Sequence, residues 1–300
     1  MEDRHETPQF EHSVRTSTNF PPFSKQARAM WAKSGDETGN LNLPQHLMDT
    51  AGAAAVVYDT WVAEPIKRRL AEGLSLSDNQ VRDLYIWLAG VHDCGKACLK
   101  FQTQLEQKGG FEHLVLNLTD AGLPLRMGGL EKTLEKMPHG ICSGVLILNW
   151  LMEQGFDYPT AELLSSVADA HHGVPSPDQE RDRIETILSA YPNEWQEVHR
   201  ELLDTMAESI DVQGALETLK SNSQIDAAAI QLLTGLVVIA DWIASNPEAF
   251  PMVVTGTQEE RIQLGMQATD LTTPWSGRAI DGDVDKLYQS SFGWPDHYRA

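Results

Sequence analysis

The chain has 300 residues, and its 23 Lys and Arg residues against 43 Asp and Glu residues give a formal net charge of −20. Such an acidic balance argues against a protein that binds a polyanion through a broad basic face, although nucleic acid is still allowed as a substrate. A hydrophobic content of 41% and a charged content of 22% are typical of a globular protein with one large domain or two small ones.

Apolar runs and cysteines indicate the compartment. The longest apolar runs, 144–152 and 235–240, are shorter than the roughly 20 residues of a membrane span. Residues 1–9 are polar and are not followed by an apolar signal segment. The three cysteines, Cys94, Cys98 and Cys142, have no C-x-x-C spacing and fit free thiols. We therefore expect a cytoplasmic protein that does not act at a membrane.

Helical periodicity dominates the chain. In chain order, the predicted helices span about Gln45 to Val62, Ser77 to His92, His139 to Leu151, Thr160 to His172 and Ile225 to Ser245. Ser77 and Gln80 predict a capping box at the start of the second helix, and Gly173 ends the fourth. The best strand candidate is Met252 to Thr255. The expected fold class is all-α, a helical bundle with few or no strands.

Two regions have weaker periodicity. Residues 109–138 are rich in Gly and Leu and are predicted to form a loop or an insertion. The tail from Thr255 onward contains Trp275, Trp294 and Pro295 but no strong period. It is interpreted either as a linker toward something that this chain lacks or as a strap across the helical core.

Seven residues of metal-ligand type lie on or at the ends of the predicted helices. They are His46, His92, Asp93, His139, His171, His172 and Asp241. Imidazole with carboxylate suits Zn²⁺, Fe²⁺, Mn²⁺, Ni²⁺ or Co²⁺ and does not suit Ca²⁺, which prefers oxygen ligands. The set is too large for one tetrahedral ion, but with a bridging carboxylate it fits two ions about 3.5 to 4 Å apart.

Each histidine taken alone also has a structural interpretation. Taken alone, His46 or His139 fits a helix cap or a surface residue better than a metal ligand. The adjacent pair His92 and Asp93 is different because it follows an apolar helix. Burying that pair without a metal would cost several kcal/mol in desolvation.

The stretch from Val91 to Lys96, followed by Phe101 and Gln102, resembles the His-Asp motif of the HD superfamily of metal phosphohydrolases. More narrowly, the chain resembles the HD nuclease domains of type I CRISPR nuclease-helicases. The further matching segments are Trp31-Ala32-Lys33-Ser34, residues 45–51 around His46, His139-Gly140 with Ser143, His171-His172-Gly173 and residues 240–246. The resemblance covers about Ala29 to Pro247.

The resemblance implies a domain organisation and a binuclear centre. It implies an HD nuclease domain over residues 1–250, with its core at about 29–247, and a C-terminal tail or linker over 251–300. The chain is then either a stand-alone nuclease subunit or a nuclease domain whose tail leads toward a helicase part. In the family, the counterparts of one set of residues hold the first ion, namely His46, His92, Asp93 and Asp241. The counterparts of a second set hold the other ion, namely Asp93, His139, His171 and His172, so that Asp93 bridges. The ions are expected to be two divalent transition-metal ions, Mn, Fe, Co or Ni.

Further residues receive narrower predictions. Asp93 and Lys96 are the predicted catalytic residues, and Lys96 and Ser245 are predicted to contact the substrate phosphate. Lys96 is equally consistent with a solvated lysine at a helix end, and Ser245 with a residue that supports a ligand. Cys94 is predicted to pack in the core. The histidines that match no motif are predicted to lie on the surface: His5, His12, His113, His199 and His297. Five tryptophans are candidates for base stacking or for the core: Trp31, Trp61, Trp87, Trp150 and Trp242.

The resemblance implies a metal-dependent nuclease that cleaves single-stranded DNA in CRISPR interference by two-metal phosphodiester hydrolysis. The implied partners are single-stranded DNA, the CRISPR surveillance complex Cascade and a helicase domain or subunit. The chain has no G-x-x-x-x-G-K-[ST] loop, so we expect no helicase within it. Two alternatives are open: an HD phosphohydrolase of nucleotides or cyclic nucleotides, and a non-catalytic docking domain stabilised by metal.

Overall fold

The computed structural model describes residues 20–35, 39–126, 137–221, 225–269 and 271. These residues form thirteen α-helices and one two-stranded sheet. The elements are α1 (Lys25–Ala29), β1 (Trp31–Ser34), β2 (Asn40–Asn42), α2 (Leu43–Thr60), α3 (Glu64–Leu74), α4 (Asp78–Val91), α5 (Leu99–Thr103), α6 (Glu112–Asp120), α7 (His139–Glu153), α8 (Tyr158–Asp169), α9 (Asp178–Ser189), α10 (Asn193–Ile210), α11 (Gln213–Lys220), α12 (Ala227–Ser245) and α13 (Gln258–Ala268). Two 3-10 turns follow α4 and α8, at Cys94–Lys96 and Ala170–His172. The prediction of an all-α fold with few strands is confirmed.

All five predicted helices are present, as α2, α4, α7, α8 and α12. The capping box that starts α4 has both of its bonds: the Gln80 N–H donates to Ser77 Oγ, and the Ser77 N–H donates to Gln80 Oε1. The Asn42 side chain caps α2, so this helix begins two residues earlier than predicted. The fourth predicted helix is shorter than expected: α8 ends at Asp169, and the residues from Ala170 to His172 form a 3-10 turn that ends at Gly173.

The predicted strand Met252 to Thr255 is wrong. The segment is irregular, and the side chains of Val253 and Val254 are 61% and 43% exposed, so no partner strand covers them. The described strands are β1 and β2, which pair antiparallel near the start of the bundle. The prediction of a loop over 109–138 is also wrong in part, because α6 forms there and buries Leu114 and Leu118. Residues 127–136 lie outside the described residues.

The tail contains a helix that packs on α2. Arg261 of α13 makes a buried bidentate ion pair with Asp49 of α2, with Nη2 2.8 Å from Oδ2. Gly52 leaves room for the Ile262 side chain, which a Cβ at position 52 would meet. The tail residues Trp275, Trp294 and Pro295 lie outside the described residues.

The most apolar helix of the described chain is α12, and it lies in the core. Among the described residues it is the one helix long and apolar enough to cross a membrane by length and composition. It packs instead against α2, α8, α3 and α4 through buried residues such as Leu233 and Val237. This packing carries Asp241, near the end of α12, toward the start of α2.

Candidate metal centre

The fold brings all seven predicted ligand residues to one place. His46 lies in the first turn of α2, and His139 is the first residue of α7. The remaining five come from three chain segments: His92 and Asp93 directly after α4, His171 and His172 in the turn after α8, and Asp241 on α12. Helix ends and turns therefore supply most of the centre, and the packing of α2, α4, α7, α8 and α12 brings them together.

The seven residues form two groups, each with ligand atoms within 4.8 Å of one another. We call the first ligand group the set His46, His92, Asp93 and Asp241, and the second ligand group the set His139, His171 and His172. In the first, the Asp241 Oδ1 atom lies 3.6 Å from His46 Nε2 and 3.4 Å from His92 Nε2. In the second, the Nε2 atoms of His139 and His172 are 2.7 Å apart.

Asp93 lies between the two groups and offers one oxygen to each. Its Oδ2 atom is 2.9 Å from His46 Nε2 and 3.4 Å from His92 Nε2. Its Oδ1 atom is 3.4 Å from His139 Nε2 and 3.6 Å from His171 Nε2. The carboxylate thus joins the groups, as a ligand shared by two cations would.

The local chain explains how α7 comes so close to Asp93. After Asp93 the chain forms the 3-10 turn Cys94–Lys96, in which Gly95 lies against the backbone of α7. A Cβ at position 95 would overlap the His139 carbonyl oxygen and the Ser143 nitrogen. The Gly95 N–H donates to Ser143 Oγ at 2.8 Å. Glycine is therefore required here for a close approach between two backbones.

The candidate ligand atoms are suited to divalent cations. Buried His92 Nε2, Asp93 Oδ1 and His171 Nε2 have no hydrogen-bond partner among the described residues, and His46 Nδ1 also has none. His92 Nδ1 donates to the Ala89 carbonyl at 2.7 Å, and His171 Nδ1 donates to the Ala168 carbonyl. With Nδ1 engaged in this way, the Nε2 atom of each ring faces the centre, as in metal-binding histidines, and a bound cation would replace the proton that His92 otherwise carries there. Unpartnered buried polar atoms are costly, and a cation would satisfy them.

The carboxylates set the electrostatics of the first ligand group. Burial alone would lower the pKa of His92, but the neighbouring carboxylates of Asp93 and Asp241 outweigh it and raise this pKa to about 10. Burial alone would raise the pKa of Asp93, but Lys96 and His92 hold it well below its usual range. The negative field that retains a proton on His92 also attracts a divalent cation.

The other buried histidines are held neutral. Burial is the largest cause that lowers the pKa of His46 to about 3, and it lowers those of His139 and His171 to about 4. A neutral imidazole is the form that binds a metal ion, so these rings do not need to lose a proton at pH 7.

The two predicted phosphate-contacting residues also lie at the centre. Lys96 Nζ is 2.6 Å from Asp93 Oδ2, the oxygen that faces the first ligand group. Ser245 Oγ donates to Asp241 Oδ1 at 2.8 Å. Lys96 therefore balances the charge of Asp93, and Ser245 orients the Asp241 carboxylate.

Supporting residues that had no predicted role surround the centre. Gln102 Nε2 donates to the carbonyls of Trp31 and Lys96, each at 2.9 Å, which joins β1 to the turn after Asp93. Lys33 of β1 donates from Nζ to the Ala244 carbonyl at 2.7 Å, and burial lowers its pKa to about 8. Gln102 and Lys33 both lie in segments that match the HD nuclease family. This match is the only signal in the sequence that indicates them.

A second support closes the loop that contains His171 and His172. The buried Asp169 carboxylate accepts from the Ser176 N–H and from Ser176 Oγ, both at 2.7 Å. His171 and His172 lie between these two residues, so the clamp fixes both ends of their loop. The sequence gives no signal for this contact beyond a polar pair that flanks the doublet.

Some other residues differ from their predicted positions. The surface prediction for His199 is wrong: it is 5% exposed, and Nε2 donates to the Ala97 carbonyl at 2.6 Å. Its helix α10 carries buried residues at helical spacing, a signal that would have placed it inside. His113 is exposed as predicted, and His5, His12 and His297 lie outside the described residues.

The tryptophans divide between buried and exposed positions, and the cysteines are free thiols as predicted. Trp31, Trp87 and Trp150 are buried in the core, whereas Trp242 is 73% exposed. The three cysteines are buried free thiols, and Cys94 packs in the core.

Comparison with known proteins identifies the family. A sequence profile described as "Cas3, HD domain" matches residues 31–250. The chain belongs to the Cas3 HD domain family. It is 30% identical over 227 residues to the CRISPR-associated endonuclease/helicase Cas3 of Thermus thermophilus, covering 75% of this chain and 23% of that protein. It is 27% identical over 287 residues to the CRISPR-associated nuclease/helicase Cas3 of Streptococcus thermophilus, covering 88% of this chain and 30% of that protein. The chain thus spans less than a third of the length of either relative.

Solved structures share the Cas3 HD domain fold. One, titled a CRISPR-associated protein, has a TM-score of 0.69 at 23% identity. The match covers 92% of this chain and 31% of the chain in that structure. The HD domain of Thermus thermophilus Cas3, solved in the presence of Ni²⁺, has a TM-score of 0.55 at 24% identity. This match covers 82% of this chain and 90% of the chain in that structure. These likenesses support the helical bundle fold.

Proposed function

We propose that this Cas3 HD domain is a metal-dependent nuclease that cleaves single-stranded DNA during CRISPR interference. The observation that carries the proposal is the arrangement of Asp93, whose two oxygens face two separate ligand groups. A site of this kind suits hydrolysis of a phosphodiester, in which charge develops on both the attacking and the leaving oxygen.

In this proposal, the seven residues hold two divalent transition-metal ions. His46, His92 and Asp241 would hold one ion, His139, His171 and His172 would hold the other, and Asp93 would be shared. The chemistry that such ions would supply is a lowered pKa for a nearby water and positive charge that balances the charge developing on the phosphate oxygens. The metal choice is among Mn, Fe, Co and Ni, since imidazole and carboxylate ligands suit all four.

The proposed roles of Lys96 and Ser245 follow from their contacts. Lys96 Nζ would turn from Asp93 to a phosphate oxygen when cations neutralise that carboxylate, because the lysine then loses its anionic partner. Ser245 would hold Asp241 in its ligand orientation and offer its hydroxyl near the substrate phosphate. Asp93 and Lys96 are therefore the proposed catalytic pair.

The names of similar proteins support the proposed nuclease activity, metal and partners. Two relatives are named as CRISPR-associated nuclease or endonuclease and helicase proteins, and a solved HD domain was determined with Ni²⁺. A further similar structure is titled a CRISPR RNA-guided surveillance complex, pre-nicking, with a TM-score of 0.57. We propose the same partners here: Cascade and a helicase domain or subunit, with residues 251–300 leading toward the latter, in the cytoplasm.

The decisive experiment uses circular single-stranded DNA. Untagged protein is stripped of metal, loaded with Mn²⁺, Co²⁺ or Ni²⁺, and its metal content is measured. We expect two ions per chain and cleavage of the circle, which requires endonuclease action. Asp182, an exposed residue of α9, provides a control through Asp182→Ala, which should cleave normally.

The same preparation distinguishes the alternatives. Hydrolysis of nucleoside triphosphates or cyclic dinucleotides without cleavage of DNA would favour a nucleotide phosphohydrolase. Metal binding without activity on any of these substrates would favour a non-catalytic docking domain.

A further inference from the structure

Resting on the proposed nuclease function, we propose that a cleft beside His139 is a subsite for the nucleotide adjacent to the scissile phosphate of single-stranded DNA. The cleft has a volume of about 590 Å³ and lies between α5, the start of α7 and the first turn of α9. Cavities of about 300 to 1,000 Å³ are typical of small-molecule sites, so its size is sufficient for one nucleotide.

The exposure of the ligands shows where a strand can enter the metal centre. The side chains of His46, His92, Asp93 and His171 are between 0% and 3% exposed. Only the remaining three ligands reach solvent: the His139 side chain is 25% exposed, the Asp241 side chain 15%, and His172 is exposed. A phosphate that reaches Asp93 must therefore pass these three residues.

His139 belongs to both the centre and the cleft. The Nε2 atom of His139 faces Asp93 Oδ1 at 3.4 Å, and His139 also lines the cleft. A strand whose phosphate lies at Asp93 continues past His139 into the neighbouring space. The nucleotide on that side of the scissile bond therefore lies in the cleft.

The floor of the cleft is suited to a nucleobase. It includes the half-buried side chains of Phe101 and Ile141 and the exposed ring of Pro138. Phe101 is held by two aromatic neighbours: its ring centroid is 4.6 Å from that of Trp31 and 5.6 Å from that of His139. A base that packs against a fixed apolar floor gains binding energy whatever its identity.

The rim of the cleft is suited to the sugar-phosphate backbone. Lys100 is exposed on α5 and Gln104 directly after it, and Glu180 is exposed on α9 at the other side. Lys100 offers its ammonium group to a phosphate, whereas the Glu180 carboxylate is paired with Arg183, whose Nε atom is 3.1 Å away, so the positive charge of the rim lies on the α5 side and the backbone follows that side. Because the chain carries a net charge of −20, such local contacts must supply the affinity that a broad basic face would otherwise provide.

The test measures cleavage of linear single-stranded DNA with one abasic position moved along the substrate. Wild-type protein loaded with Mn²⁺ should show a KM about tenfold higher when the abasic position is next to the cleaved bond, since stacking of one base contributes this much or more. Ile141→Ala and Lys100→Gln should each raise KM for intact DNA by about tenfold, with kcat changed far less. In Ile141→Ala, the abasic position should cause little further loss, because the two changes remove the same contact.

Matched variants control for charge and apolar surface elsewhere. Lys108→Gln removes an exposed lysine that lies over the Phe111 ring, and Leu116→Ala shortens an exposed side chain of α6. Neither should change KM. Phe101 is not substituted because its ring touches that of the ligand His139.

Each outcome decides between the subsite and the function on which it rests. Cleavage with equal KM for every abasic position, or with unchanged KM in Lys100→Gln and Ile141→Ala, overturns the subsite alone. An equal rise of KM in Lys108→Gln or Leu116→Ala also overturns it. If wild-type protein that binds two Mn²⁺ ions hydrolyses neither DNA nor bis(p-nitrophenyl) phosphate, which has no base, the proposed function and the subsite are overturned together.

Discussion

The two ligand groups differ in burial and in charge. The first ligand group contains two carboxylates, and its histidines His46 and His92 are fully buried within the helical core. The second consists of three histidines, of which His172 is exposed and His139 is 25% exposed. Under the proposed function, the first group would therefore hold a cation more tightly, whereas the second lies where water and substrate would arrive. The difference predicts unequal affinities for the two ions.

The shared carboxylate should have the largest effect of any single residue. Asp93→Ala removes the group that faces both sites, so we expect fewer than two bound ions and loss of DNA cleavage, by at least about 1,000-fold. Elemental analysis and the circular DNA assay measure the two effects. Cleavage at the normal rate by this variant would show that Asp93 does not bridge.

Ligand variants should separate the two groups. Asp241→Asn removes an anionic ligand whose side chain is only 15% exposed, and we expect at least about a 100-fold loss of affinity for one ion, since even outer partners of ligands contribute 10- to 100-fold. His172→Gln should weaken the other ion only about tenfold, because water can replace an exposed ligand. Calorimetric titration with Mn²⁺ gives both constants. Equal losses in the two variants would contradict the inequality between the groups.

The clamp between Asp169 and Ser176 should matter only to the second ligand group. Ser176→Ala removes one of the two hydrogen bonds that close the loop around His171 and His172. We expect about a threefold loss of affinity for the weaker ion, because the backbone N–H bond of residue 176 remains. Ser166→Ala is the control, since Ser166 Oγ bonds to the Leu163 carbonyl within its own helix. A change in the tighter ion would show that the two groups are not independent.

His199 is a buried histidine outside both groups and gives a reference for the effect of burial alone. Burial lowers its pKa to about 4, although its bond to the Ala97 carbonyl acts in the opposite direction. The unfolded chain, with an ordinary histidine pKa of about 6.5, therefore binds more protons between these pH values. Its contribution is present above pH 6.5 and is lost as the pH falls toward 4.

The smallest expected effect is therefore a pH-dependent difference in stability. Between pH 7 and pH 5, His199 should reduce the free energy of unfolding of metal-free protein by about 2 kcal/mol. His199→Gln should show a correspondingly smaller decrease in urea titrations at the two pH values. Identical decreases in both proteins would mean that His199 is not buried in neutral form.

Local signals predicted the elements that carry the centre. Apolar spacing and a capping box predicted α4, and the same kind of spacing predicted α12 with Asp241 on it. The strand predicted at Met252 to Thr255 failed because β-branched residues favour a strand only where a neighbouring strand covers them. His199 was misplaced because no helix was predicted over α10, although the apolar spacing there puts His199 on the face that packs against the turn after Asp93.

The sequence alone determined which residue types are available for metal binding, on which helices and in what order, because periodicity and helix caps depend on neighbours within a few residues. Only the tertiary structure decided that each oxygen of Asp93 faces a different ligand group, that Asp169 clamps Ser176, and that a cleft opens beside His139. These features depend on how distant helices pack together. Their geometry is set by side-chain volume and close backbone contacts such as that of Gly95 with α7, which no local pattern records.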